Sequence, residues 1–300
     1  MKTLFCLVKR NTKMFFKDKG LFFTAMITPL ILLFLYTTFL GEVYKDAFQL
    51  TIPQGLNVSE ELIKACVGGQ LFSSLLAVCC VTVAFCSNML MVQDKMTGSR
   101  GDLLIAPVKK STLALAYFIA TWLSTLIVCI VACIACFIYL ACVGWYLSVA
   151  DVFLLLFDVL ILTMFGTALS SIVNCFLSTQ GQISAVGTIV SSGYGFVCGA
   201  YMPISQFSSG IQKVVSLLPG TYGTSLLRNH AMRGAFDEML AQGFPVEIVE
   251  SMKDSIDCNI YFFDNAVSVG SMYGVIAISA LVVLGAYILI HKLSNKKNKT

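Results

Sequence analysis

From Ser111 to Ala150 the chain runs forty residues without one charged side chain. Few folds are open to such a segment. About 20 apolar residues in helical form cross the hydrocarbon core of a bilayer. Backbone in lipid must bond to itself, which leaves helices or closed barrels. The alternation of a barrel strand is absent here, so the run is predicted to be helical, with a membrane span at residues 113–143.

Five more runs behave alike. Residues 21–40, 65–92, 152–176, 183–201 and 267–291 are predicted spans, the fourth in chain order interrupted only by Asp158. The chain is 57% apolar and 12% charged, where soluble domains carry roughly 25% charged residues. The predicted fold class is therefore all-α: a polytopic membrane protein with six transmembrane helices, forming one domain over residues 1–300. No repeat and no separate soluble domain is visible.

An even number of spans returns both termini to one face. The segments 1–20, 93–110 and 292–300 hold 14 of the 20 Lys and Arg residues. The opposite face carries acids such as Glu42, Glu60, Asp237, Asp254 and Asp264. Basic loops stay inside, so both termini are expected in the cytoplasm, with the protein in the plasma membrane. The net charge of +4 averages a basic inner face and an acidic outer one, and no nucleic-acid partner is implied. The first apolar run starts at Leu21 and is too long for a signal-peptide core.

Residues 1–20 are predicted to lie on the membrane. Lys9, Lys13 and Lys17 recur on one face of a helix over 2–19, with Leu4, Leu7, Val8, Met14 and Phe15 largely on another. Such a helix rests in the inner headgroup layer with lipid as its partner, and Gly20 breaks it. The outer loop, 202–265, starts apolar but is broken by Pro203, Gly210 and Pro219. A pair of short re-entrant helices fits it, since irregular backbone at membrane depth survives where protein covers it. From Thr221 to Ile256 charge returns, with two amphipathic patterns. The second opens at Pro245 and aligns Ile248, Val249, Met252 and Ile256. Asn57-Val58-Ser59 fits a glycosylation acceptor, relevant only in a eukaryotic secretory pathway.

Catalytic motifs are missing. No GxxxxGK[ST] phosphate loop, HExxH or GxSxG occurs, and there are two histidines, His230 and His291. The chain is expected not to be an enzyme, with no catalytic residue and no metal site. Most of the 12 cysteines lie in spans, where Cys packs as a small hydrophobe. Cys129, Cys133 and Cys136 share a helix face, for which packing is favoured over a soft-metal site. Cys258 could pair with Cys66, Cys142 or Cys198 in one exofacial disulfide.

Three features call for a role. A charge at Asp158 is costly in a bilayer unless hydrated or paired. It is read either as a pathway acid for a cation or cationic drug, or as a bond to a neighbouring helix. Gly187, Ser191, Gly195 and Gly199 recur every four residues, a face that lets another helix come close. Residues 93–110, QDKMTGSRGDLLIAPVKK, are too elaborate for a turn. Asp94-Lys95 closes a span. Gly98 and Arg100 follow, and Gly101-Asp102 begins a short helix with Leu103 and Leu104 on one side. Pro107 ends it. Such a helix offers an apolar side to a partner's groove.

Taken in order, four features resemble the permease subunits of ABC-2-type transporters, in particular multidrug-efflux-like exporters. They are the amphipathic helix before span one, the Asp94–Pro107 segment, Gly199-Ala200-Tyr201-Met202-Pro203-Ile204, and Leu217-Leu218-Pro219-Gly220-Thr221-Tyr222 continuing to Leu227-Arg228. The resemblance covers essentially the whole chain. It implies a second permease copy or paralogue, with the pathway between the two, and separate ABC-type ATPase subunits. ATP and Mg would sit on that ATPase, with no cofactor bound by this chain. Asp94, Lys95, Gly98, Arg100, Asp102, Leu103, Leu104 and Pro107 would couple to the ATPase. Pro203, Pro219 and Gly220 would shape a re-entrant gate, and Asp158 would be a pathway residue. The implied substrate is amphipathic: a drug, an antimicrobial peptide or a lipid-like molecule. The alternatives are a sodium or polysaccharide exporter of the same family, or an ATPase-independent channel or scaffold. The long Arg233–Phe263 region counts against polysaccharide.

Overall fold

The computed structural model describes residues 2–51, 58–106, 108–263 and 265–297. Asn57, Pro107, Asp264 and Lys299 lie outside the described residues. Among the described residues twelve α-helices carry the fold: α1 Lys2–Lys17, α2 Lys19–Leu35, α3 Gly41–Thr51, α4 Glu60–Met96, α5 Ser99–Ile105, α6 Lys110–Val143, α7 Val149–Cys175, α8 Gln180–Val197, α9 Ser209–Val215, α10 Pro219–Ala241, α11 Val246–Ser255 and α12 Val269–Lys297. A π-helical turn, Tyr36–Leu40, joins α2 to α3, and a 3₁₀ turn, Ile204–Gln206, precedes α9. The described β structure is a two-residue antiparallel hairpin, β1 Tyr261–Phe262 and β2 Asn265–Ala266, with Tyr261 opposite Ala266.

The bundle is built around α4. Its most apolar window is 94% buried, against 28% for that of α6 and 17% for that of α12. α4 is therefore the central post, and the others turn one face to lipid. Ile27, Leu30 and Phe34 of α2, Val131 and Ile138 of α6, and Leu281 and Val282 of α12 are exposed there. Ser59 caps α4 by accepting from Leu62 N, and Glu60 and Glu61 occupy its first turn, where the helix dipole favours acids. Capping boxes start α7 (Ser148 with Asp151) and α8 (Thr179 with Gln182).

Among the described residues, five stretches are long and apolar enough to cross a membrane: Lys19–Asp46, Glu60–Met96, Lys110–Val143, Val149–Cys175 and Val269–Leu293. The stretch expected at 183–201 is α8, which has 18 residues and is interrupted by Gln182, Ser184, Thr188, Ser191 and Ser192. It is helical but less apolar than the five.

One local expectation needs correction. The apolar and charged parts of 202–265 do not part at Gly220. With Pro219 at its first turn, α10 runs unbroken through Ala241, because Pro lacks only an N–H that the first turn leaves unused. It packs against α4, α7 and α12. All twelve cysteines are free, so Cys258 forms no disulfide. Burial pushes its thiol up to about 12, leaving it an unreactive packing residue. As expected, α11 follows Pro245 and buries Val249, Met252 and Ile256.

Candidate coupling site and groove

At the basic end α1 lies across α6, with Leu7, Met91, Leu113, Tyr117 and Tyr287 in one apolar cluster. Asp94 is 3% exposed at this junction. The Arg10 guanidinium donates to both its oxygens, at 2.5 and 3.1 Å, and Tyr117 OH donates at 2.5 Å. The carboxylate beside it holds the Arg10 guanidinium above its ordinary pKa. Asp94 is thus an internal fastener of α1, α4 and α6, and its oxygens are not turned to another protein. Lys95 is also turned inward. Its Nζ donates to the Cys175 and Leu177 carbonyls at 2.5 and 3.0 Å, a cation at the C-terminal end of α7 where the helix dipole favours one.

Beyond Lys95 the chain turns out. Gly98 has φ +80° and sits just before α5, a left-handed position glycine takes without strain. The short helix starts at Ser99 rather than Gly101 and ends at Ile105. Its apolar pair is oriented against expectation. Leu103 and Leu104 are half-buried and pack on the Leu7–Tyr117–Tyr287 cluster. The outward face is Gly101, Asp102 and Ile105, with Ile105 84% exposed and Met96 44% exposed nearby. Arg100 is half-buried. Pro107 lies outside the described residues.

The two proline segments meet at Arg228, one of the Lys and Arg residues outside the three basic segments. It is 0% exposed. Nη2 donates to the Gly199 carbonyl and Nη1 to Asp257 Oδ2 at 3.3 Å. Asp257 also accepts from Ile204 N at 2.6 Å and Ser205 N at 3.3 Å. One carboxylate therefore joins the backbone after Pro203 to the side chain of α10. Pro219 opens α10, and a Cβ at Gly220 would lie 2.5 Å from Tyr194 Oη, so a larger residue there would push the Tyr194 ring of α8 aside. The signal that sequence reasoning missed was present: Arg228 is the first charge after a long apolar, hydroxyl-rich run.

Asp158 bonds neighbouring helices. It accepts from His230 Nδ1 of α10 at 2.6 Å and from Tyr273 OH of α12. It lines neither of the two large cavities. Asp151 pairs with Arg233. Among the described residues, no group of three His, Cys, Asp or Glu side chains forms a metal centre.

Both large cavities flank α2. One, of about 840 Å³ between α2, α4 and α6, is walled by Phe22, Met26, Leu71 and Val131 and is almost wholly apolar. The other, of about 910 Å³ between α2, α4 and α8, is two-sided. Ile27, Ile31 and Leu35 face a row of hydroxyls, Ser184, Thr188, Ser191 and Ser192. Among the described residues no charged side chain lines it. Gly187 and Ser191 of the small-residue face open onto this groove, whereas Gly195 packs on Tyr201 and Gly199 lies past the helix end at φ +74°.

A family profile described as ABC-2 type transporter matches residues 2–231. The match runs from the start of α1 into α10 and takes in α5 and both proline segments. No curated protein matches the chain.

Proposed function

Because the chain belongs to the ABC-2 type transporter family, we propose that it is the permease of an ATP-driven exporter that moves an amphipathic substrate out of the cytoplasm. As a multi-pass membrane protein of that family it is the membrane component of an ABC transporter, and such components generally work with an ABC ATPase. On this reading the ATPase is a separate chain and a second permease completes the pathway. Both termini and α5 face the cytoplasm at the plasma membrane. α8 serves as the sixth span, its hydroxyl face turned toward the pathway rather than to lipid, and the segment from Pro203 to Gly220 re-enters the outer leaflet.

The observation that carries the reading is α5. It is a seven-residue helix at the basic end, with Ile105 84% exposed and Asp102 beside it. It is anchored through Leu103 and Leu104 to the cluster that also holds α1. A push on its outer face therefore meets packed protein. ATP binding can bias two conformations only through contacts that differ between them, and a rigidly seated helix supplies such contacts. The uncharged groove supports a substrate with one apolar and one hydrogen-bonding face. The internal pairing of Asp158 gives no support to a sodium path through that residue.

The test is Ile105→Glu. It removes the exposed apolar knob without touching the inward Leu103–Leu104 anchor. Expected is normal membrane insertion with loss of the copurifying ATPase. Copurification at the wild-type level would overturn the role of α5.

A further inference from the structure

Beside the Arg10–Asp94 pair lies a small cavity of mixed lining, about 10 Å³, room for a single water molecule. Its wall brings together Asn11 of α1, Ser87 and Leu90 of α4, and Tyr117, Ala120, Thr121 and Ser124 of α6. Asn11 and Ser124 are each 1% exposed. Asn11 Nδ2 and Ser124 Oγ have no hydrogen-bond partner within the protein. Buried polar groups of this kind are nearly always satisfied, by protein or by ordered water.

The chemistry of the ligand follows from the direction of the Asn11 amide. Its Oδ1 accepts from Arg10 Nη1 at 2.9 Å. A guanidinium only donates, so the oxygen must face Arg10 and the NH₂ remains for the cavity. The nearby acid is fully engaged, since both Asp94 oxygens are held by Arg10 and one also by Tyr117. A metal cation would meet N–H hydrogens and no free carboxylate. A neutral molecule that can both accept and donate suits the polar side chains of the wall.

We propose that this cavity seats one structural water bridging the interfacial helix α1 to α4 and α6. It accepts from Asn11 Nδ2 and donates to Ser124 Oγ. Its second hydrogen goes to a hydroxyl of Ser87 or Thr121, the latter already donating to Asn88 Oδ1 at 3.4 Å. α1 is then held by two unlike joints side by side, the direct Arg10–Asp94–Tyr117 contact and an exchangeable water bridge. A bridging water is enthalpically close to a direct hydrogen bond yet adapts to small shifts of its partners. The bridge follows from the packing of α1 and stands independently of the transport reading.

Two measurements test it on the full chain in lipid nanodiscs. A density map fine enough to show single waters is expected to contain one isolated peak within hydrogen-bond reach of Asn11 Nδ2 and Ser124 Oγ. An empty cavity, or a peak with the short contacts of a metal ion, overturns the proposal. In a double-mutant cycle, Asn11→Leu and Ser124→Ala each release the water. Each single change is expected to lower Tm by about 3 °C, and the pair to lower it little more than one alone. Strictly additive losses would overturn the bridge. Should Asn11→Leu not fold, Asn11→Ser enters the same cycle, and the wild-type map decides by itself.

Discussion

Arg10–Asp94 and Arg228–Asp257 join the same two side-chain types toward opposite ends of α4, in different surroundings. The Arg10 side chain is 29% exposed and that of Arg228 is 1% exposed. Arg10 reaches from a surface helix to a buried acid, so if the pair parts water can take over the guanidinium, while Tyr117 still donates to Asp94. Arg228 has no such recourse, and its partner holds two backbone amides as well. The first pair is a fastener that can open at modest free energy. The second is a lock whose opening would strand both charges in the interior.

The largest test of that difference is Arg228→Met. It leaves Asp257 buried with amide donors alone, and about 3–5 kcal/mol of stability should be lost. Thermal unfolding in detergent would measure it. Adding Asp257→Asn should restore part of the loss, because the neutral amide removes the stranded charge, its single oxygen can still accept from Ile204 N, the shorter of the two bonds, and asparagine tolerates the φ of +56° found at that position. A normal Tm for Arg228→Met alone would break the comparison.

Asp94→Asn should act differently. With Arg10 partly in water the loss should be only about 1–2 kcal/mol. The clearer sign should be faster amide hydrogen exchange across α1, with the rest of the bundle unchanged. If Tm fell as far as in Arg228→Met, the two pairs would be alike and the distinction lost.

The smallest effect is expected at Arg233, which pairs with Asp151 but is 44% exposed. Solvent screening discounts the pair to about 0.5–1 kcal/mol in Arg233→Ala. Asp151 keeps its Ser148 contacts, so the start of α7 should survive, readable as unchanged helicity. A loss matching that of Arg228→Met would show that exposure is not what sets the ranking.

The sequence showed most clearly what the bilayer imposes. Five apolar runs became α2, α4, α6, α7 and α12, because the thickness of hydrocarbon fixes how long a helix must stay apolar. α8 was harder, since a helix that turns hydroxyls into a groove loses the composition that marks a span. Depth and direction were not legible. Charge counting treats every arginine as surface, yet Arg228 is buried by a partner 29 residues away and Asp94 by one 84 residues away. Leu103 and Leu104 were recognised as an apolar pair, but which way a seven-residue helix faces depends on α1 and α12 packing behind it. Of the coupling residues the sequence suggested, Asp94, Lys95 and the two leucines hold the platform, while Asp102 and the unselected Ile105 form its outer surface.

The π-helical turn between α2 and α3 sets a phase. In an unbroken α-helix Tyr44 would lie about 80° around the axis from Tyr36, and Phe48 farther still. The wider turn takes up one extra residue and brings that offset back to about 20°. Tyr36, Tyr44 and Phe48 are consequently all buried, at 3%, 7% and 2% exposure, and the two tyrosine rings stack 5.6 Å apart. The extra residue is thus a register correction. It lets one helix leave the membrane and fold its far end onto the same side of α4 that its first half grips.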